Sequence, residues 1–348
     1  MLSGGLNVII DGQWGSTGKG KLAGWVGKHH EGIKYACSSF GPNAGHTYVD
    51  DDGNNTVYKV MPMAGHTANV PALIMPDSVV SVDRLLHEMK EYSSRVFVHP
   101  NVAVLTEDDS KSARETGRHL AGTMQGTGHA ISKKLLRIKG VKLAKDVLPA
   151  ELVADTCEMV YDACKAGDSV VFEMSQGFDL SLNHGHAYPY VTSRDITVAA
   201  CLNSAGIPPS MLGSVIGSLR TFPIRVGNIE GGWSGPCHED QHEMSWPEVA
   251  EQAHGPSDLV ELTTVTKRVR RVFTFSMLQV ERFQKMCNPD YLFVNFIQYL
   301  DWKNEGVTRW EDLTDSARNF VNNLQAASPG VVALIGTGAK DGEMVVRI

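Results

Sequence analysis

The chain has 348 residues, 42% hydrophobic and 20% charged, enough apolar matter for a substantial core and too much for a disordered segment. Its net charge of −7 argues against a sequence-independent nucleic-acid binder, and its six cysteines, with no CxxC pair, argue against both a disulfide framework and a cysteine zinc site. No apolar run approaches the roughly 18 residues of a membrane span, and the N-terminus lacks a basic, apolar, small-residue signal pattern, so a cytoplasmic protein with no membrane partner is expected.

The first predicted strand, Leu6–Ile10, runs into a glycine-rich loop, Asp11-Gly12-Gln13-Trp14-Gly15-Ser16-Thr17-Gly18-Lys19-Gly20-Lys21. Glycines let backbone N–H groups approach phosphate oxygens, and Lys19 and Lys21 add positive charge where a helix would begin. The loop departs from a Walker A sequence: Gly12 stands one residue too far from Gly18-Lys19, and Gly20 occupies the place of the Ser or Thr that would hold magnesium. A second strand-like run, Lys34–Ser39, leads into Gly41-Pro42-Asn43-Ala44-Gly45-His46-Thr47, which places a histidine in a loop.

Farther on, helix-like stretches at Val82–Glu91, Lys111–Leu120, Leu148–Lys165 and Ser276–Met286 alternate with β-rich runs at Ser93–Val98, Ser169–Glu173, Gly213–Leu219, Tyr291–Phe296 and Val331–Ile335. Such alternation predicts an α/β fold, a mainly parallel central β-sheet flanked by helices. With no repeat, low-complexity tract or Pro/Ser-rich linker, residues 1–348 are read as one domain with long active-site loops, and residues 225–260 as a surface excursion. The densest charge cluster, Thr263-Thr264-Val265-Thr266-Lys267-Arg268-Val269-Arg270-Arg271, would put Thr264, Thr266, Arg268 and Arg270 on one side if extended. Arginine forks of this kind suit a dicarboxylate.

The words Gln13-Trp14-Gly15 and Gly18-Lys19-Gly20-Lys21 resemble the N-terminal signature of the adenylosuccinate synthetases, which join aspartate to C6 of IMP at the cost of a nucleoside triphosphate. Further blocks are similar in order: Asn43-Ala44-Gly45-His46-Thr47; Gly122-Thr123-Met124-Gln125-Gly126-Thr127-Gly128; Glu173-Met174-Ser175-Gln176-Gly177; His184-Gly185-His186-Ala187-Tyr188-Pro189-Tyr190-Val191-Thr192-Ser193; the arginine cluster; and Gly336-Thr337-Gly338. The resemblance implies that His46, with an ordinary pKa near ~6.5, is a general acid. It places the triphosphate on Gly15, Thr17, Gly18, Lys19, Gly20, Lys21, Gly45, His46 and Thr47, with its base near Asn295, Gln298, Gly336 and Gly338. By the same resemblance the acceptor nucleotide lies on Ser16, Asn43, Thr123, Arg137, Gln176, Thr192 and Arg225, Arg137 coming from the neighbouring subunit of a homodimer. Aspartate falls to Thr264, Val265, Thr266, Arg268 and Arg270, and Mg²⁺ to Ser16 and the Gly45 carbonyl.

Two departures refine this. Where the family carries an aspartate that is catalytic base and magnesium ligand, the chain has Ser16, as in the bacteriophage branch acting on dGMP, for which the location would be the host cytoplasm. Where the family reads guanine with an aspartate, the similar place is Asn295-Phe296-Ile297-Gln298, and Gln298 carries the donor and acceptor that match an adenine edge, so ATP or dATP is the expected donor. The implied reaction joins L-aspartate to C6 of dGMP through a 6-phosphoryl intermediate, with Ser16, Lys19, His46 and Gln176 as the catalytic set. The alternatives are a synthetase using IMP and a non-catalytic nucleotide-binding relative. Lys267 stands in place of the family's loop glycine, which leaves the shape of the arginine loop open.

Overall fold

The computed structural model describes residues 1–263 and 267–348. Its central sheet has nine strands: β1 (Gly5–Asp11), β2 (Ile33–Ser39), β3 (Ala72–Ile74), β4 (Val96–Val98), β5 (Ser169–Met174), β6 (Leu212–Arg220), β7 (Tyr291–Asn295), β8 (Val331–Gly336) and β9 (Met344–Val346). They lie in the order β9-β8-β7-β6-β1-β5-β2-β3-β4. All neighbours are parallel except β8 and β9, so the expected parallel α/β sheet is present with one antiparallel edge.

Every residue of β1 is buried, as a strand covered on both faces must be. Alternate side chains feed two cores. Leu6, Val8 and Ile10 join Val170 and Phe172 beneath the helices Thr156–Lys165, Val198–Ala205, Met277–Cys287 and Asp315–Ala326, while Ile9 and Val171 meet the helix α1 (Lys19–His29) on the opposite face. The chain winds to one side of β1 through β2, β3 and β4, and later to the other through β6, β7 and β8. The motif loops therefore leave the carboxyl ends of β1, β2, β5, β7 and β8 along a single sheet edge, the place where such sheets hold ligands.

Local chemistry moved several predicted boundaries. Helix Leu148–Lys165 begins only at Thr156, because Asp155 accepts the N–H groups of Cys157 and Glu158 as a cap. The predicted helix at 111–120 begins earlier, at Glu107, with a Thr106/Asp109 capping box, and gives way at Gly117 to a short turn. The expected excursion at 225–260 is more structured than a surface loop. Its strand Glu243–Met244 and the pair Ile224–Arg225 and Arg271–Phe273 form a small antiparallel sheet, and helix Trp246–Gln252 closes a separate core of Phe222, Ile224, Trp246, Val249, Val272 and Tyr299. Phe222 and Tyr299 of this core follow directly from the carboxyl ends of β6 and β7. Among the described residues no helix is long and apolar enough to cross a membrane.

Candidate active site

The phosphate loop is organised around one carboxylate. Asp11, fully buried at the end of β1, accepts the N–H groups of Gln13 (2.8 Å) and Gly15 (3.2 Å) on Oδ1, and the Thr17 hydroxyl (2.6 Å) and Lys19 Nζ (3.1 Å) on Oδ2. Gly15 and Gly18 both sit at φ 89°, and Ser16 at φ 58°. These left-handed residues turn the chain back on itself, and α1 then starts at Lys19. Gly20, which departs from Walker A, has a steric reason: a Cβ there would lie 2.4 Å from the Thr47 carbonyl oxygen. Thr47 and His46 belong to the strand His46–Val49, so the missing methyl lets the histidine segment close over the loop.

The Lys21 ammonium, expected on the triphosphate, is held elsewhere. It donates to the carbonyls of Gly338 (2.8 Å) and Glu343 (2.6 Å), and burial lowers its pKa to about 8. It thus ties the C-terminal turn to α1, while Lys19 alone of the two faces the loop cavity.

His46 and Glu173 form a buried pair, Nδ1 to Oε2 at 3.2 Å. Burial pushes the Glu173 carboxyl up to about 8, against the Ala64 amide that donates to its other oxygen. Burial, then the Lys19 charge, holds the His46 imidazole well below its ordinary value. Both shifts run against the ordinary histidine pKa expected from sequence and favour the uncharged pair, in which a protonated Glu173 would donate to Nδ1 and leave the imidazole proton on Nε2. Gln176 stands at φ 65°, and its carbonyl accepts Lys19 Nζ at 2.7 Å, linking the two loops.

Two cavities share a wall. One, of about 480 Å³, is lined by Gly15, Ser16, Gly18, Lys19, Gly20, Gly45, His46, Thr47, Glu261 and Arg270. The other, of about 290 Å³, is lined by Gln125, Thr192, Ser193 and Arg225. Trp14, Asn43, Thr123 and Gln176 line both. The predicted triphosphate loop and the predicted acceptor residues are thus halves of one cleft, with Ser16 on the loop side of the junction. Arg225 is buried against the Trp14 ring at 4.7 Å and donates to the carbonyls of Ser234 and Tyr190, and burial lowers its pKa to about 10. Arg137, by contrast, is exposed at φ 53° beyond the helix Thr127–Leu135, and it lines neither cavity.

The described ends of the arginine segment are hydrogen-bonded to each other. Thr263 N–H donates to Arg268 O (2.8 Å), and Lys267 N–H to Thr263 O (3.1 Å). Lys267 takes φ 53°, so the conformation a glycine favours is kept by a lysine. Thr264, Val265 and Thr266 lie outside the described residues. Arg270 faces the larger cavity, whereas Arg268 donates to the carbonyls of Ala121, Gly122 and Gly227, clamping the segment that precedes Thr123.

At the far end, Asn295 is wedged between two glycines. A Cβ at Gly18 would lie 2.0 Å from its Nδ2, and one at Gly336 2.1 Å from its Oδ1. Gln298 is buried in the turn Ile297–Tyr299, and its Oε1 has no hydrogen-bond partner among the described residues. An orphaned acceptor of that kind matches an incoming N–H donor.

The protein oxygens expected to hold Mg²⁺, the Ser16 hydroxyl and the Gly45 carbonyl, line the same cavity as Lys19. Hard, sparse oxygen donors beside a phosphate loop fit an ion held chiefly by phosphates and water. His99, Asp155 and Cys157 also bring ligand atoms within 4.8 Å of one another, but none lines the cleft, Asp155 is a helix cap, and a thiol does not suit Mg²⁺.

Asp11, Glu173, Arg220 and Glu261 were not singled out from sequence as site residues. A carboxylate closing an apolar strand before a glycine loop, and another inside the run Val170–Met174, were legible signals. The contact between Arg220 and Glu261 spans 41 residues and left none.

A model of the adenylosuccinate synthetase family matches residues 8–152 and 138–305. The N6-succino-2-amino-2′-deoxyadenylate synthase of Vibrio phage phiVC8 is 37% identical over 311 residues, 85% of this chain and 86% of that one. The enzyme of the same name from Cyanophage S-2L is 36% identical over 306 residues, covering 84% and 82%. The adenylosuccinate synthetase of Archaeoglobus fulgidus is 31% identical over 96% of both chains. Among solved structures, the Cyanophage S-2L succinoaminodeoxyadenylate synthetase bound to dGMP and dATP superposes with a TM-score of 0.85 at 32% identity, covering 98% of this chain and 95% of that one. Fully ligated adenylosuccinate synthetase from Plasmodium falciparum shares the fold, with a TM-score of 0.84 at 16% identity over 99% of this chain and 100% of that one. A match over this much of the sequence, carried by the loops that open on the cleft, makes the chain a member of the adenylosuccinate synthetase family.

Proposed function

We infer that the chain is a ligase that joins L-aspartate to C6 of dGMP, with ATP or dATP as phosphoryl donor, giving N6-succinyl-2-amino-2′-deoxyadenylate, ADP or dADP, and phosphate. The observation that carries the choice of acceptor is Ser16, a short hydroxyl on the phosphate-loop side of the cleft where the family's aspartate would stand. The phage relatives at 37% and 36% identity carry the name of that activity, and the S-2L structure holds dGMP and dATP.

The purine O6 attacks the γ-phosphorus as the β–γ bridging bond breaks, and the aspartate amine then attacks C6 as the C6–O bond breaks and phosphate leaves. Loop N–H groups and Lys19 stabilise charge on the transferred group. Mg²⁺, held by phosphates with Ser16 and Gly45, would neutralise further phosphate charge. His46 Nε2–H donates toward the departing phosphate, with the Glu173 proton behind Nδ1 as its reserve. Gln176 holds the purine near O6. Ser16, too weak a base to take the N1 proton, orients the purine or a water that accepts it, and leaves room for the guanine 2-amino group. Arg270 faces the place where the aspartate carboxylates would bind.

Gln298 Oε1, without a hydrogen-bond partner among the described residues, supports an adenine base on the donor, accepting from its 6-amino group. Arg137, exposed beside the exposed Leu135, Leu136 and Ile138, supports a homodimer in which it reaches the partner's acceptor phosphate.

The direct test of the Ser16 argument is Ser16→Asp assayed on dGMP and IMP. A fall on dGMP with a gain on IMP is expected; unchanged dGMP turnover with no IMP activity would contradict it.

A further inference from the structure

We propose that Arg220 is a positioning residue that locks three substrate-facing segments into one geometry, a role that rests on the ligase reading but not on the identity of the acceptor purine. Arg220 ends β6 and is fully buried. One guanidinium nitrogen donates to the Ser16 carbonyl at 3.0 Å, so it grips the phosphate loop at its left-handed residue. The same nitrogen and its neighbour form a fork on the two oxygens of Glu261, two residues before the arginine segment. The guanidinium carbon lies over the Phe296 ring, 4.0 Å from its centroid, and Phe296 leads into the turn bearing Gln298.

The Glu261 arm continues to the cavity-lining Arg270 and to the turn that bears Gln298. Glu261 O accepts the Arg270 N–H at 2.9 Å, and Glu261 Oε1 accepts the Tyr299 hydroxyl at 3.1 Å. The backbone of Arg220 is held by the Gln13 side chain, whose Oε1 accepts its N–H at 2.9 Å and whose Nε2 donates to its carbonyl at 3.2 Å. The acceptor purine beside Ser16, the aspartate beside Arg270 and the donor base beside Gln298 are therefore referred to one side chain that touches none of them. An arginine fits this post and a lysine does not, because a planar fork can grip a carboxylate bidentately, reach a carbonyl and stack on a ring at once.

The test separates positioning from mere stability. Removing one member of a buried ion pair leaves an uncompensated charge, whereas replacing both with apolar residues is often neutral for folding. Three variants are compared with wild type, using whichever of dGMP or IMP the wild type turns over: Arg220→Lys, Arg220→Met, and Arg220→Met combined with Glu261→Leu. For Arg220→Lys, an unchanged melting temperature and a loss of about 10-fold or more in kcat/KM for aspartate are expected; for the double variant, a melting temperature restored toward wild type with kcat/KM still down about 10²-fold, the scale of a misplaced catalytic array. KM for aspartate and for the triphosphate should rise together. Arg220→Lys with wild-type kinetics, or a double variant that regains full activity along with its stability, overturns the proposal. An acceptor other than dGMP in the wild-type control overturns the functional reading and leaves this test intact.

Discussion

The two halves of the cleft are built by opposite means. The phosphate side is local: within nine residues, Asp11 collects Gln13, Gly15, Thr17 and Lys19, and the proposed triphosphate would be met chiefly by backbone N–H groups. The proposed aspartate side is assembled from afar, by Arg220 on Glu261 and by Arg268 on the carbonyls of Ala121, Gly122 and Gly227, and would meet its ligand with a side chain, Arg270. A site made by a short stretch of chain carries its geometry in that stretch. A site made by distant pairs tolerates changes in its own residues, as Lys267 shows by holding φ 53° in place of a glycine.

That contrast breaks most sharply at Lys19, where both loops meet. Lys19→Ala should lower kcat by about 10³-fold, the scale of losing a preformed oxyanion donor, as read in single-turnover phosphoryl transfer. A loss confined to triphosphate KM would mean that the lysine binds without acting on the transferred group.

Next in size is the proton reserve. Glu173→Gln should lower kcat by about 10²-fold and remove a loss of activity on the alkaline side of pH 8. Its effect on stability has a definite sign. Glu173 holds its proton in the folded state up to about pH 8 but releases it near 4.5 when unfolded, so wild-type stability falls as pH rises between those values. His46 works the other way, its depressed pKa costing stability only below about 6.5. Between pH 6.5 and 8 the melting temperature of Glu173→Gln should therefore climb relative to wild type; parallel curves would refute the raised carboxyl.

On the distant side, Arg270→Ala should raise KM for aspartate by about 10- to 100-fold with less effect on the triphosphate, the reverse of the Lys19 pattern. Equal effects on both substrates would dissolve the division between the two halves. Smallest is Lys21→Met. Because this amine holds the Gly338 turn and not phosphate, triphosphate KM should rise by no more than about 10-fold with kcat nearly intact. A collapse of kcat would restore it to the phosphate cradle.

Much of this was legible in sequence for the same reason. The parallel sheet followed from alternating apolar runs, and the loops of Gly15–Gly20, Gly45–Thr47 and Gln176 stand together at the carboxyl edge that such sheets use. Strands Ala72–Ile74 and Met344–Val346 were too short to show a period. The separate placement of the Lys21 ammonium was not legible because two lysines after a glycine loop look equivalent, and only the C-terminal turn, more than three hundred residues on, distinguishes them. The layer around Trp246 was hidden because its core draws on Phe222, Val272 and Tyr299 from three separate stretches.

The central claim is the identity of the acceptor. Magnesium-dependent phosphate release with L-aspartate and ATP, run in parallel on dGMP, GMP and IMP with the product mass determined, tests it most directly. Turnover on dGMP with the mass of the succinylated 2-aminodeoxyadenylate is the predicted result; turnover on IMP alone, or none on any of the three, would contradict it.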